Sequence, residues 1–139
     1  MRKKVFGRKL GRSKTTREAL FRNMAAQFVG QGSMSTTYAK AKSIQPMIET
    51  LAGLAKEGSV TSKRKASALL GNSRKASNAL FATVFPESKK SGFTRILSMV
   101  SRKGDASKMA RIEWSFEKVA QAEAEKSSTK QVSSKVKKA

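Results

Sequence analysis

The chain has 139 residues, 38% of them hydrophobic, and its 30 Lys and Arg against 9 Asp and Glu leave a formal charge of +21. That length suits one domain, and a surplus this large repels itself unless an anionic partner neutralises it; nucleic acid fits best, because Lys and Arg bound to phosphates release condensed counterions. With no Cys and no His, disulfides, thiolate chemistry, the usual zinc sites and the side chain best suited to proton transfer at neutral pH are excluded, and no apolar run is long enough for a transmembrane helix.

Residues 1–17 hold Arg2, Lys3, Lys4, Arg8, Lys9, Arg12, Lys14 and Arg17 and no acid. The segment is basic but lacks an apolar stretch, so it is not expected to be a secretory signal. Gly7 and Gly11 interrupt the cations with pliable backbone that can approach phosphate closely. Residues 1–14 are therefore expected to be a basic RNA-binding arm that orders on its partner.

Thr15 is a good N-cap with Glu18 three residues on, the spacing of a capping box. Leu20, Met24 and Phe28, flanked by Phe21, Ala25 and Val29, make one apolar stripe on a first helix, which Gly30 and Gly32 are expected to stop. Ser33–Thr36 reads as a short strand. Thr37 can cap a second helix running to about Lys56, with Ala41, Ile44, Ile48, Leu51 and Ala55 on its apolar face and Gly58 ending it. Pro46 lies inside that pattern and predicts a kink or a break.

Two shorter helices are expected at about 61–70 and 73–84, separated by Gly71-Asn72, with Asn72 or Ser73 as cap of the second. Leu69 and Leu70 would anchor the first, and Ala76, Leu80, Phe81 and Val84 the second; Pro86 discourages helix at Phe85. After Gly92 the period changes. Ala110, Ile112, Trp114 and Phe116 alternate with Met109, Arg111, Glu113 and Ser115, as in a strand with one buried face. Phe93–Ser101 is a second strand, and the loop Arg102–Ser107, with Gly104-Asp105 as turn residues, makes a β-hairpin of the two. The outline is an α+β domain over residues 15–117, with helices against a small sheet. Residues 118–139, rich in Lys, Ser and Ala, are expected to be a disordered tail apart from a frayed helix near Val119–Lys126.

Further cations open the helices: Arg17 and Arg22 in the first, Lys40 and Lys42 in the second, Lys63, Arg64 and Lys65 in the third, Arg74 and Lys75 in the fourth. Helix N-termini can hold phosphate, so these residues, Arg64 among them, and Arg95, Arg102 and Lys103 on the hairpin are candidates for a basic RNA-binding surface. Aromatics make up only 6%, too few for a platform that stacks bases, so recognition by shape and phosphate fits better. The acids are scattered, no Ser has a His as base, and no Gly-rich phosphate loop of the required spacing occurs. No enzyme, cofactor, metal or small-molecule substrate is expected. A DNA-compacting architectural protein would share the charge, but it would need a dimer interface or an apolar wedge; a membrane-surface helix would need aromatic anchors.

Five stretches, Gly7-Arg8-Lys9-Leu10, Arg17 through Phe21-Arg22-Asn23-Met24, Thr36-Thr37 with Lys40-Ala41-Lys42, Leu54-Ala55-Lys56, and Gly92-Phe93-Thr94-Arg95-Ile96 on through Arg102, Gly104-Asp105, Met109-Ala110 and Ile112-Glu113, stand in an order and spacing that resembles the bacterial large-subunit ribosomal protein family numbered seventeen. The resemblance covers about residues 2–117. It departs at Thr16, where the family usually has His, near the N-terminus, where another His is missing, and at Ser43-Ile44-Gln45-Pro46, which replace a charged run. It implies a two-layer α-β-α-α-α-β-β domain, bound to large-subunit rRNA near the polypeptide exit tunnel beside other proteins of that rim, and hence a cytoplasmic, ribosome-bound, structural role in translation. It further implies that Arg8, Lys9, Arg17, Arg22, Asn23, Thr36, Thr37, Lys40, Lys42, Thr94, Arg95 and Arg102 face RNA.

Overall fold

The computed structural model describes residues 7–83, 85 and 90–116. The elements run α1 (Lys14–Gln31), β1 (Ser33–Thr37), α2 (Tyr38–Glu57), α3 (Val60–Leu69), α4 (Arg74–Ala82), β2 (Thr94–Met99) and β3 (Met109–Trp114). This is the expected α-β-α-α-α-β-β order. The three strands form one antiparallel sheet in the order β1-β3-β2, so the last strand of the chain lies in the middle.

The apolar stripe of α1 buries Met24, Ala25, Phe28 and Val29. Its cap differs from expectation. Ser13, not Thr15, precedes the helix in extended geometry, and its hydroxyl accepts the Thr16 N–H at 3.4 Å. Glu18 closes no capping box; it lies 3.8 Å from Arg22 one turn on. Gly30 stays inside the helix, and Gly32 alone ends it, at φ 79° with its N–H on Phe28 O at 2.6 Å. That left-handed position suits a residue without Cβ.

α2 is not broken at Pro46. The missing proline N–H leaves the Lys42 carbonyl without its usual partner, but Lys42 and Pro46 are both exposed, so water can take that bond. The opposite face of α2, with Ala41, Ile44, Ile48, Leu51 and Ala52, is buried and packs against all three strands. Ser59 caps α3 through the Ser62 N–H at 3.1 Å, and Ser73 caps α4 through the Ala76 N–H at 3.4 Å. Of the leucine pair that closes α3, only Leu70 is buried; Leu69 is exposed, and Ala66, which the sequence reading did not single out, joins the core. Val84, Pro86 and the tail lie outside the described residues.

β3 alternates as expected, burying Ala110, Ile112 and Trp114. Its register sets Ile112 opposite both Met34 and Ile96, and Trp114 opposite Thr94. Trp114 meets Phe28 at 4.7 Å between ring centroids, Phe85 at 5.4 Å and Phe116 at 5.6 Å, and Phe85 also meets Phe93 at 5.6 Å. These tilted and edge-on contacts are the favoured aromatic geometries, and they place most of the chain's few aromatics in the core rather than on a stacking surface.

Candidate nucleic-acid interface

The described part of the arm is a tight turn followed by a helix start. Lys9 O accepts the Arg12 N–H at 3.1 Å, with Leu10 at φ 53° and Gly11 at φ 63° between them. Two central residues at positive φ are the mark of a type I′ turn. Gly11 takes that conformation freely, whereas Leu10 is strained by about 1–2 kcal/mol. The Arg12 guanidinium donates to the Leu10 carbonyl at 2.7 Å, which pins the turn. Arg8, Lys9, Arg12 and Lys14 are all exposed around it, and Arg17 is half-buried one turn into α1. Arg2, Lys3 and Lys4 lie outside the described residues.

None of the four helices has an acid in its first turn. Lys14 and Arg17 open α1, Lys40 and Lys42 open α2, Lys63 and Arg64 open α3, and Arg74 and Lys75 open α4. A helix N-terminus already bears about half a positive charge, so cations there are unfavourable by roughly 0.3–1 kcal/mol each until an anion arrives. Lys63 is partly accommodated by the Phe81 ring, 5.7 Å from its Nζ. Arg22 and Asn23 are exposed on α1, and Lys42 and Arg64 on α2 and α3; Lys40, Thr36 and Thr37 are half-buried. Thr37 caps α2 by position only, with no side-chain bond to the helix, so its hydroxyl is not spent there.

The hairpin is different. Arg95 Nε meets Glu113 Oε1 at 2.6 Å across the two strands, and Arg111 Nε meets the other oxygen of the same carboxylate at 3.4 Å. Arg102 grips Asp105 through Nε and Nη2. The Arg102 hydrogen bond, then the Ser107 N–H, hold the Asp105 carboxyl well below the usual carboxylate range, and the Arg102 guanidinium is raised in turn, chiefly by its hydrogen bond to Asp105.

Thr94 corrects an expectation. It is only 6% exposed, and its hydroxyl donates to Glu49 Oε1 at 2.6 Å while its N–H donates to the same oxygen at 2.8 Å. A buried hydroxyl already hydrogen-bonded is not free to face RNA. The other oxygen of Glu49 accepts the N–H groups of Gly92 at 3.1 Å and Phe93 at 3.0 Å. Glu49 thus ties α2 to the start of β2. Sequence reasoning left it among the scattered acids, because its partners lie more than forty residues away.

Comparison with known proteins finds a family and close sequence relatives. The family model described as Ribosomal protein L17 matches residues 20–115. The large ribosomal subunit protein bL17 of Thermomicrobium roseum is 40% identical over 116 residues, covering 82% of this chain and 98% of its own length. The bL17 of Gemmatimonas aurantiaca is 39% identical over 115 residues, covering 81% and 97%, and that of Persephonella marina is 38% identical over 117 residues, covering 82% and 94%. Matched span and identity over nearly the whole length of these relatives lead to one assignment: the chain belongs to the ribosomal protein L17 family.

Proposed function

We propose that this chain braces large-subunit ribosomal RNA near the polypeptide exit tunnel, with the arm and the helix starts as its main RNA contacts. Family membership makes it a structural, ribosome-bound and non-enzymatic constituent of the large subunit, working in translation in the cytoplasm. The location near the tunnel, and neighbouring ribosomal proteins as partners, rest on that membership alone.

The observation that carries the RNA reading is electrostatic. Four helix N-termini, already positive, carry basic residues and no acid. The isolated fold tolerates this at a cost, and bound phosphates convert the cost into affinity. The reading divides the chain into an arm (1–14), the α+β domain (15–117) and a C-terminal tail (118–139). Arg8, Lys9, Arg12, Lys14, Arg17, Lys40, Lys42 and Arg64 carry the larger share. Arg22, Asn23, Thr36 and Thr37 support them. Arg95 and Arg102 contribute less, because each already shares its charge with a carboxylate.

Sedimentation of a tagged full-length chain, followed by RNA crosslinking, tests this. Co-migration with the large subunit through a high-salt wash, with crosslinks to rRNA lining the tunnel exit, is the expected result. Recovery with the nucleoid instead would overturn it.

A further inference from the structure

Among the described residues, the sheet has one covered face and one bare one. Helix α2 packs on the strands from the side where Met34, Ala110, Ile112 and Trp114 are buried. The register places the alternate residues in three rows on the other side: Ser33, Glu113 and Arg95; Ser35, Arg111 and Leu97; Thr37, Met109 and Met99. The first row is polar and ion-paired. Toward the hairpin turn the surface becomes apolar, with Leu97 43% exposed, Met99 47%, Val100 91% and Tyr38 37%. Tyr38, Met99 and Met109 line a shallow hollow there together with Ser98, Ser101 and Lys108.

Among the described residues, strand β2 also has an unpaired edge. The Ser115 N–H donates to Phe93 O at 2.8 Å, so the backbone groups of the odd-numbered residues of this strand face β3. Those of the even-numbered residues face away, because both groups of a residue in an antiparallel ladder point to the same side. On that outward side Thr94 N–H is taken by Glu49. Among the described residues, Ile96 and Ser98 therefore present an N–H and a C=O each, a template for another strand. The far edge, β1, lacks the apolar companion: its outer residues are Ser33, Ser35 and Thr37.

We propose that this edge and the apolar surface beside it dock a neighbouring protein of the large subunit, which adds an extended strand to β2. The proposal rests on the large-subunit reading above. The added strand has apolar residues at alternate positions, to cover Leu97, Met99 and Met109, and at least one carboxylate. The carboxylate follows from local charge: Arg95 and Arg111 share the single Glu113, and Lys103 and Lys108 make no ion pair among the described residues. RNA fits less well. The side chains of Leu97, Met99, Val100 and Met109 offer phosphate no donor, and Tyr38 is the one aromatic there among the described residues.

The test is photocrosslinking in intact ribosomes, with p-benzoylphenylalanine at Leu97 or Met99 of the full-length chain and at Lys14 as reference. Sequencing should recover one extended apolar segment, with a carboxylate, of a single ribosomal protein from Leu97 and Met99, and rRNA from Lys14. Crosslinks from Leu97 and Met99 to rRNA, to a second copy, to residues 117–139 of the same chain, or to no polymer would overturn the proposal. Leu97→Asp and Met99→Asp, at exposed positions that the core does not need, should lower retention in salt-washed subunits at least tenfold. Binding of the isolated variants to an rRNA fragment should stay within twofold of the parent. Unchanged retention, or a parallel loss of RNA binding, would sink it. Absence of the unaltered protein from the subunit would instead remove the large-subunit reading, and this one with it.

Discussion

The cations of the hairpin and the cations of the arm and helix starts live in different surroundings. On the hairpin, Arg95 and Arg111 flank Glu113, and Arg102 holds Asp105. Around the arm and the first turns of the helices, Arg8, Lys9, Lys14, Arg17, Lys40, Lys42 and Arg64 meet no acid among the described residues, and the helix ends add to their potential. Counting basic residues treats the two regions alike. Their local surroundings separate a part whose arginines each meet a carboxylate from a part that waits for an external polyanion.

The difference between the two regions should be largest at the arm. Removing residues 1–12 deletes six cations but keeps the Ser13 cap, so α1 should persist. If each cation meets a phosphate, the log–log salt slope of rRNA binding should shrink by about 4–5, at roughly 0.7–0.9 per contact. A filter-binding series over salt measures it, and an unchanged slope would refute the arm as a phosphate binder.

A core change should do the reverse. Trp114→Ala should cost about 3–5 kcal/mol of stability, read as the urea midpoint at unchanged m-value, while the salt slope of the folded variant stays that of the parent. Impaired binding by a fully stable variant would mean that the ring touches RNA. Next in size comes Glu49→Gln, in which one carboxylate oxygen becomes a donor facing backbone N–H groups. We expect a loss of about 1–3 kcal/mol, with protection of the Gly92–Thr94 amides in hydrogen exchange lowered well beyond that of α1.

The smallest effect is expected on the hairpin. The pair Arg102→Gln with Asp105→Asn should leave the salt slope within about one of the parent. Because the folded Asp105 carboxyl titrates below its unfolded value, whatever stability the pair contributes is present above the ordinary carboxylate pKa of about 3.9. It is lost as pH falls through the depressed folded value. A slope drop as large as that of the arm deletion would erase the distinction between the two regions.

Much of this was legible in the chain itself. The four-residue recurrence of Leu20, Met24 and Phe28 and the two-residue alternation of Ala110, Ile112 and Trp114 each have a period that only one secondary structure satisfies. Where two readings were locally equivalent, the sequence could not decide. Ser13 and Thr15 are both good caps, and only the folded backbone, with the Thr16 N–H on the Ser13 hydroxyl, shows the earlier one in use. Leu69 and Leu70 differ only in which way the last helical turn points. Thr94 sat in a stretch that resembled the family, which marks a position without saying whether RNA or a buried carboxylate needs it. The Arg95–Glu113 contact needs the strand register, and the Glu49 clamp needs the tertiary fold; neither leaves a local trace.

The placement of β3 between β1 and β2 has a consequence for synthesis. The middle strand is the last translated, so Met34 has no Ile112 to pair with until almost the whole domain exists. At ~5–20 residues per second that wait is roughly 4–16 s. Helices α1 to α4 can form meanwhile from local contacts, but the sheet closes in a single late event, and a nascent chain stopped before Met109 holds both outer strands with nothing to join them.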